Sequence, residues 1–176
     1  MGDTKLVVDH LKLEYQGVFS VRDLFRMFTR WCKERAYEKG GDYISEQNTE
    51  NGKYIEYFYY PWKKDTSEVR FFMKIRLLIY DLKKVDMMVD EEKKRLDHGK
   101  VILYLDGFLE FDYDVRWQHQ PLWIFLRTIF NKYVFSRYHS SFEKIIIDDT
   151  HDLYEHFERF FNMYHSFKRP KSAPYF

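Results

Sequence analysis

The sequence predicts a two-layer α+β domain in which an antiparallel sheet of about five strands is covered by helices. Two long segments, 69–79 and 101–117, alternate apolar and polar residues with the period of two that is typical of half-buried strands. Asn51-Gly52 separates two aromatic-rich segments, and this dipeptide is a strong signal of a β-hairpin. Other segments repeat apolar residues three and four positions apart, as amphipathic helices do.

The composition indicates one globular domain with no strongly charged surface. The chain has 176 residues, 45% of them hydrophobic, and its 29 basic and 28 acidic residues give a net charge of +1. These values exclude intrinsic disorder, and the single cysteine excludes a disulfide framework or a multi-cysteine zinc site. We expect one domain over residues 1–167 and a flexible tail over 168–176, which contains Pro170 and Pro174.

The first elements are a strand and a helix. Residues 6–15 alternate as a strand does, and we expect Gly17 to end it. Ser20 is placed to cap a helix of about five turns that Gly40-Gly41 closes. The apolar side of this helix consists of Val21, Leu24, Phe25, Phe28, Trp31 and Cys32.

Four antiparallel strands follow. Residues 43–49 and 53–62 form the hairpin around Asn51-Gly52, and Pro61 confines the end of the second strand to a sheet edge or a bulge.

The two long segments are expected to pair as one ribbon with its tip at residues 90–95. A register in which Arg70 faces Asp114 and Lys74 faces Glu110 places opposite charges across the ladder, which is stabilising. This charge pattern selects the register.

Two points in the second half of the chain stay open. Asp106-Gly107 is either a bend within a continuous strand, which we favour because the alternation keeps its phase, or a hairpin turn. Residues 140–148 are either a short strand or a helix. We expect a second helix from Pro121 and a third helix capped by Asp149 or Thr150.

This order of strand, helix, four strands and two helices is similar to the helix-grip (START-like) architecture, over about residues 6–165. The resemblance implies a curved sheet that wraps a long C-terminal helix. It rests on element order alone and transfers no function. That family usually has more strands and a second helix directly after the first.

None of the groups with catalytic or ligand-binding residue types predicts a reaction. Glu110, Asp112 and Asp114 form an acidic row that we interpret as an exposed salt ladder. The segment 148–152, with Glu155 and His156, contains metal-ligand residue types, but acidic residues at a helix start are expected from capping alone. Cys32 lies on an apolar helix face, which favours a buried, unreactive thiol. We therefore predict no catalytic residue, cofactor or metal, and we lean against an enzyme.

The surplus of aromatic residues, 20% of the chain, leads to the functional hypothesis. A monomer has no need of strands and helices that are apolar on both sides, so some of this surface is expected to bind a partner. We predict a non-catalytic domain that binds a protein or a second copy of itself. The predicted interaction patch consists of Tyr57, Tyr59, Trp62, Ile124, Phe135 and Tyr138.

The alternative hypothesis is an apolar ligand, or an apolar substrate, in a cavity between the sheet and the second helix. Its predicted lining consists of Phe71, Met73, Leu109, Phe111, Leu126 and Phe130. Nucleic acid is an unlikely partner because the chain is nearly neutral. The longest apolar run, residues 122–126, is too short for a transmembrane helix, and we expect a cytoplasmic protein.

Overall fold

The structure is a computed structural model that describes residues 3–65, 69–89, 92–111 and 135–166, with side chains for 4–65, 69–88, 93–111 and 140–165. These residues form an α+β domain, as predicted, with six strands rather than about five. The elements in chain order are β1 (Asp3–Phe19), α1 (Val21–Glu34), β2 (Asp42–Thr49), β3 (Gly52–Tyr59), β4 (Trp62–Lys64), β5 (Val69–Val89), β6 (Glu92–Phe111) and α2 (Phe135–Ser166).

All recorded strand pairs are antiparallel. The sheet order is β1-β6-β5-β3-β2, and the short strand β4 pairs with β5 off this path. The β2–β3 hairpin is confirmed, but its turn is one residue earlier than the predicted Asn51-Gly52. Thr49 lies opposite Gly52, so Glu50 and Asn51 form the turn and Gly52, at φ +144°, begins β3. β5 and β6 form the long ribbon at the centre of the sheet.

The predicted register of this ribbon is wrong by four residues along β6. Arg70 lies opposite Glu110 and Lys74 lies opposite Asp106. Acidic residues recur at even positions of β6, so both registers join opposite charges and the charge pattern alone does not select one. Pairing instead continues to Val89 opposite Glu92, so Glu92 to Arg95 belong to β6 rather than to the predicted tip of the ribbon. The shift is even, so the side chains keep their predicted faces.

Gly107 lies inside the continuous strand β6, and the hairpin alternative at Asp106-Gly107 is wrong. The irregularity is on the neighbouring strand β1, whose register shifts on both sides of Val8, the partner of Gly107. A Cβ atom at Gly107 would lie 2.8 Å from Thr150 Oγ1 and 3.2 Å from Ile146 Cγ1. Gly107 therefore allows the close approach of α2 to the sheet.

Helix α1 begins as predicted and ends earlier. The Ser20 hydroxyl accepts the Asp23 N–H at 3.2 Å, while a carboxylate oxygen of Asp97 accepts the Val21 N–H at 3.0 Å. The helix ends at Glu34 rather than at Gly40-Gly41, because Ala36 adopts a positive φ of +57°. Gly17 does not end β1, which continues to Phe19.

Helix α2 is one continuous helix of 32 residues. Residues 140–148 are therefore helical, and Asp149 and Thr150 lie within the helix instead of capping it. The Thr150 hydroxyl donates to the Ile146 carbonyl one turn earlier, at 2.7 Å. The predicted second helix and strand residues 112–117 lie outside the described residues.

Both helices pack on one face of the sheet, the face with the odd-numbered residues of 69–79 in β5 and 101–111 in β6, which are buried as predicted. Phe157 of α2 stacks on Phe28 of α1 with ring centroids 6.2 Å apart. Tyr15 of β1 stacks on Phe161 of α2 at 4.6 Å. An aromatic layer between helices and sheet therefore forms the core, and neither α1 nor α2 packs on the other side of the sheet.

Candidate functional site

The side of the sheet opposite α1 and α2, here called the outer face, carries aromatic side chains on β2 to β6 and an apolar one, Leu6, on β1. No helix among the described residues packs on it. Its apolar and aromatic members, assigned from strand register and alternation, are Leu6, Tyr43, Tyr54, Phe58, Trp62, Phe72, Tyr80, Tyr104 and Phe108.

One row of the outer face joins four strands. Phe72 of β5 and Phe108 of β6 lie directly opposite each other, and their rings are stacked with centroids 4.6 Å apart and planes 2° apart. Trp62 of β4 pairs with Phe72 on one side, and Leu6 of β1 pairs with Phe108 on the other. Leu6 is 45% exposed. The row is a continuous apolar strip.

Cationic side chains of the outer face lie over aromatic rings, one of which is Trp62 of the strip. The Arg76 guanidinium is 5.3 Å from the centre of the Phe58 ring, and Arg70 is 5.7 Å from that of Trp62. Both arginines also hold a carboxylate: Arg70 Nε donates to Glu110 at 2.7 Å, and Arg76 Nη2 donates to Glu56 at 2.7 Å. The positive charges are thus largely balanced within the face itself.

The predicted interaction patch is divided by the structure. Tyr57 and Tyr59 lie beneath α1, each 7% exposed, in edge-to-face contact with Phe25 and Phe28. Desolvation raises the pKa of each tyrosine to about 12. They therefore belong to the core.

Only Trp62 of that patch is placed on the outer face, where it is half-buried. Ile124 lies outside the described residues. Phe135 and Tyr138 lie in the first turns of α2, and their side chains are outside the described part of the structure. The alternate residues of the same aromatic strand, Tyr54 and Phe58, are the ones that face outward. The sequence shows both sets, but only the position of α1 reveals which set is covered.

The predicted cavity lining is densely packed where it is described. Three of these side chains are completely buried: Phe71, Met73 and Leu109. Phe111 is 4% exposed. The ring centroids of Phe71 and of Phe142 in α2 are 6.2 Å apart. Leu126 and Phe130 lie outside the described residues. A nearby space beneath α1, beside Tyr57 and Phe157, measures about 10 Å³. A larger open groove of about 430 Å³ runs along α1 beside His156. Its lining combines basic and acidic side chains with Met27 and Trp31.

The residues of the acidic segment of α2 lie on two sides of the helix, one buried and one exposed. Asp149 is buried and accepts the Tyr37 hydroxyl at 2.9 Å and Lys63 Nζ at 2.5 Å, with Arg35 Nη1 3.5 Å away. Asp152 accepts the Trp31 indole N–H at 2.7 Å.

His151 and Glu155 are on the exposed side of α2. The residues of this segment that could ligate a metal therefore do not surround one point. The carboxylates on the buried side join α2 to α1 and β4 through contacts in which opposite charges balance. Burial, with the Asp149 carboxylate next in importance, strongly raises the pKa of Tyr37, so this phenol stays a hydrogen-bond donor.

Of the predicted acidic row, Glu110 forms the ion pair with Arg70, which agrees with a salt ladder, while Asp112 and Asp114 lie outside the described residues. Cys32 is buried, and desolvation raises the pKa of its thiol to about 12, as expected for an unreactive cysteine.

Comparisons with known proteins give no relative: no family model, curated protein or solved structure matches this chain. Among the described helices, none combines the length and the apolar character that crossing a bilayer requires.

Proposed function

We propose that this domain functions by binding protein and that the outer face of the sheet is its binding surface, with a second copy of the chain as the occupant. The observation that carries the proposal is the aromatic strip Trp62–Phe72–Phe108–Leu6, which crosses four strands on a face that no described helix covers. Aromatic residues supply most of the binding energy at protein interfaces.

The dimensions of the outer face suit a dimer interface. Residues 70–80 of β5 at roughly 3.3 Å per residue, and five strands at about 4.8 Å each, give an area of about 800 Å². A standard interface takes about 800 Å² from each partner.

The charges of the outer face also suit self-association. An isologous interface requires a surface that is complementary to itself, and this face contains both members of the pairs Arg70–Glu110 and Arg76–Glu56. The chain has a net charge of only +1, so two copies repel each other weakly.

The test is the mass of the protein in solution, measured by light scattering. We expect a dimer at about 100 µM, and we expect Tyr104→Glu, which places a charge in the middle of the outer face, to give a monomer. Ile147→Glu is the matched control, because Ile147 is 36% exposed on α2, away from this face. A monomeric wild-type protein, or a Tyr104→Glu variant that stays dimeric, would refute the proposal.

We also infer that the architecture is related to the helix-grip fold. The support is the packing of the long helix α2 on β1 and β6, together with the element order. An experimental structure of the whole chain, compared with helix-grip domains, tests this inference.

A further inference from the structure

A cluster of metal-ligating side chains lies where β1 departs from regular pairing with β6. The register of β1 shifts on both sides of Val8, and Asp9 and His10 fall in the irregular stretch before Leu11. One ligand atom each from Asp9, His10 and Asp106 lies within 4.8 Å of the other two. His10 Nδ1 is hydrogen-bonded to Asp9 Oδ1 and is 3.5 Å from Asp106 Oδ1.

Asp106 is the fixed member of the cluster. It is 7% exposed, and its Oδ1 accepts the backbone N–H of His10 at 2.7 Å. Within the described part of the chain, no hydrogen bond to its second oxygen is recorded. A bound cation would add a partner for this carboxylate beside the backbone N–H and the ring of His10.

Asp9 and His10 are the adaptable members. Their side chains are 66% and 71% exposed, so they can reorient around an ion at little cost in packing. Lys74 lies opposite Asp106 in the register, and its positive charge disfavours a cation at this place. Among the described residues, the two form no ion pair.

We propose that Asp9, His10 and Asp106 form a binding site for one divalent transition-metal ion of the zinc class. An imidazole with two carboxylates favours such ions over Mg²⁺ and Ca²⁺, which prefer oxygen ligands alone. Two ligands about 2.1 Å from a tetrahedral ion are about 3.4 Å apart, close to the separation between His10 Nδ1 and Asp106 Oδ1. The ion would join the irregular stretch of β1 to β6, with a fourth position left for water.

The site lies on the outer face, where the His10 ring is 6.2 Å from that of Tyr104, but it does not rest on the proposed dimer, and calorimetric titration with zinc chloride tests it separately. We expect one ion per chain, and at least a tenfold loss of affinity in His10→Ala and in Asp9→Asn. Asp9→Asn keeps the hydrogen bond between Asp106 and the His10 backbone, so a loss there is not a folding defect. His151→Ala is the matched control, because His151 is also exposed and lies beside Asp148 and Asp152.

Two results would overturn the proposal. The first is no zinc binding by the wild-type protein at about 100 µM, a concentration at which even weak sites fill. The second is binding that His10→Ala leaves unchanged or that His151→Ala removes. A proton NMR titration adds a direct measurement, in which the ring resonances of His10 are expected to shift before those of His151.

Discussion

A methyl group added at Gly107 measures how tightly α2 packs on the sheet. The new Cβ would lie 2.8 Å from Thr150 Oγ1 and 3.3 Å from Val8 Cβ, whereas ordinary contacts begin near 3.4 Å. Thr150 cannot simply turn away, because its hydroxyl donates to the Ile146 carbonyl. The helix or the strand must therefore move by about half an ångström, and overpacking of this kind costs about 1–3 kcal/mol.

The expected net effect of Gly107→Ala is a loss of about 1–2 kcal/mol in the free energy of unfolding. The overpacking cost is reduced by up to about 1 kcal/mol, because alanine restricts the unfolded chain more than glycine does. For a chain of this length the melting temperature should fall by about 2–8 °C. Urea unfolding followed by tryptophan fluorescence gives the free energy directly.

Gly41→Ala is the matched control, because a Cβ there meets nothing within 4 Å. We expect its stability to lie within about 0.5 kcal/mol of wild type. Thr150→Ala removes the closest contact, so the double variant should be more stable than the sum of the two single effects by at least about 0.5 kcal/mol. Equal stability of Gly107→Ala and Gly41→Ala, or an additive double variant, would refute the close approach of α2.

Three further predictions concern buried groups. Asp149→Asn removes the carboxylate of Lys63 and leaves Arg35 with Asp152 alone, and it should cost about 3–5 kcal/mol in urea unfolding, whereas the exposed control Asp148→Asn should stay within about 0.5 kcal/mol. Cys32, whose pKa is raised to about 12, should resist iodoacetamide at pH 8 in the folded protein and react after unfolding; rapid alkylation of the native protein would contradict its burial. The pKa of Tyr57 rises from 10.0 to about 12 on folding, so the contribution of this phenol to stability should be constant below pH 10 and fall as the pH rises from about 10 to 12. Tyr57→Phe should make that fall less steep, and an unchanged slope would show that the phenol is not desolvated.

Local patterns in the sequence correctly predicted the types of most described elements. The alternation of β5 and β6 identified the buried face, since a half-buried strand requires a period of two. Ser20 identified the start of α1, because an N-cap is a contact between residues three positions apart. The β2–β3 hairpin was predicted for the same reason, since its turn is set by adjacent residues.

The candidate site was predicted only in kind. An aromatic surface was expected, but Tyr57 and Tyr59 were assigned to it although α1 covers them. The alternate residues Tyr54 and Phe58 share the same strand. Choosing between the two sets requires the position of a helix that is more than 20 residues away in the chain.

The sequence by itself determined the period of the strands, the Ser20 cap of α1, the presence of the β2–β3 hairpin and the buried face of the ribbon, because each depends on residues that are close in the chain. The tertiary structure decided the register of β5 against β6, the continuity of α2 through Asp149, and the face of β3 on which α1 packs. Each of these depends on packing between distant segments. An even shift in register keeps every side chain on its own face, so the hydrophobic pattern cannot detect it.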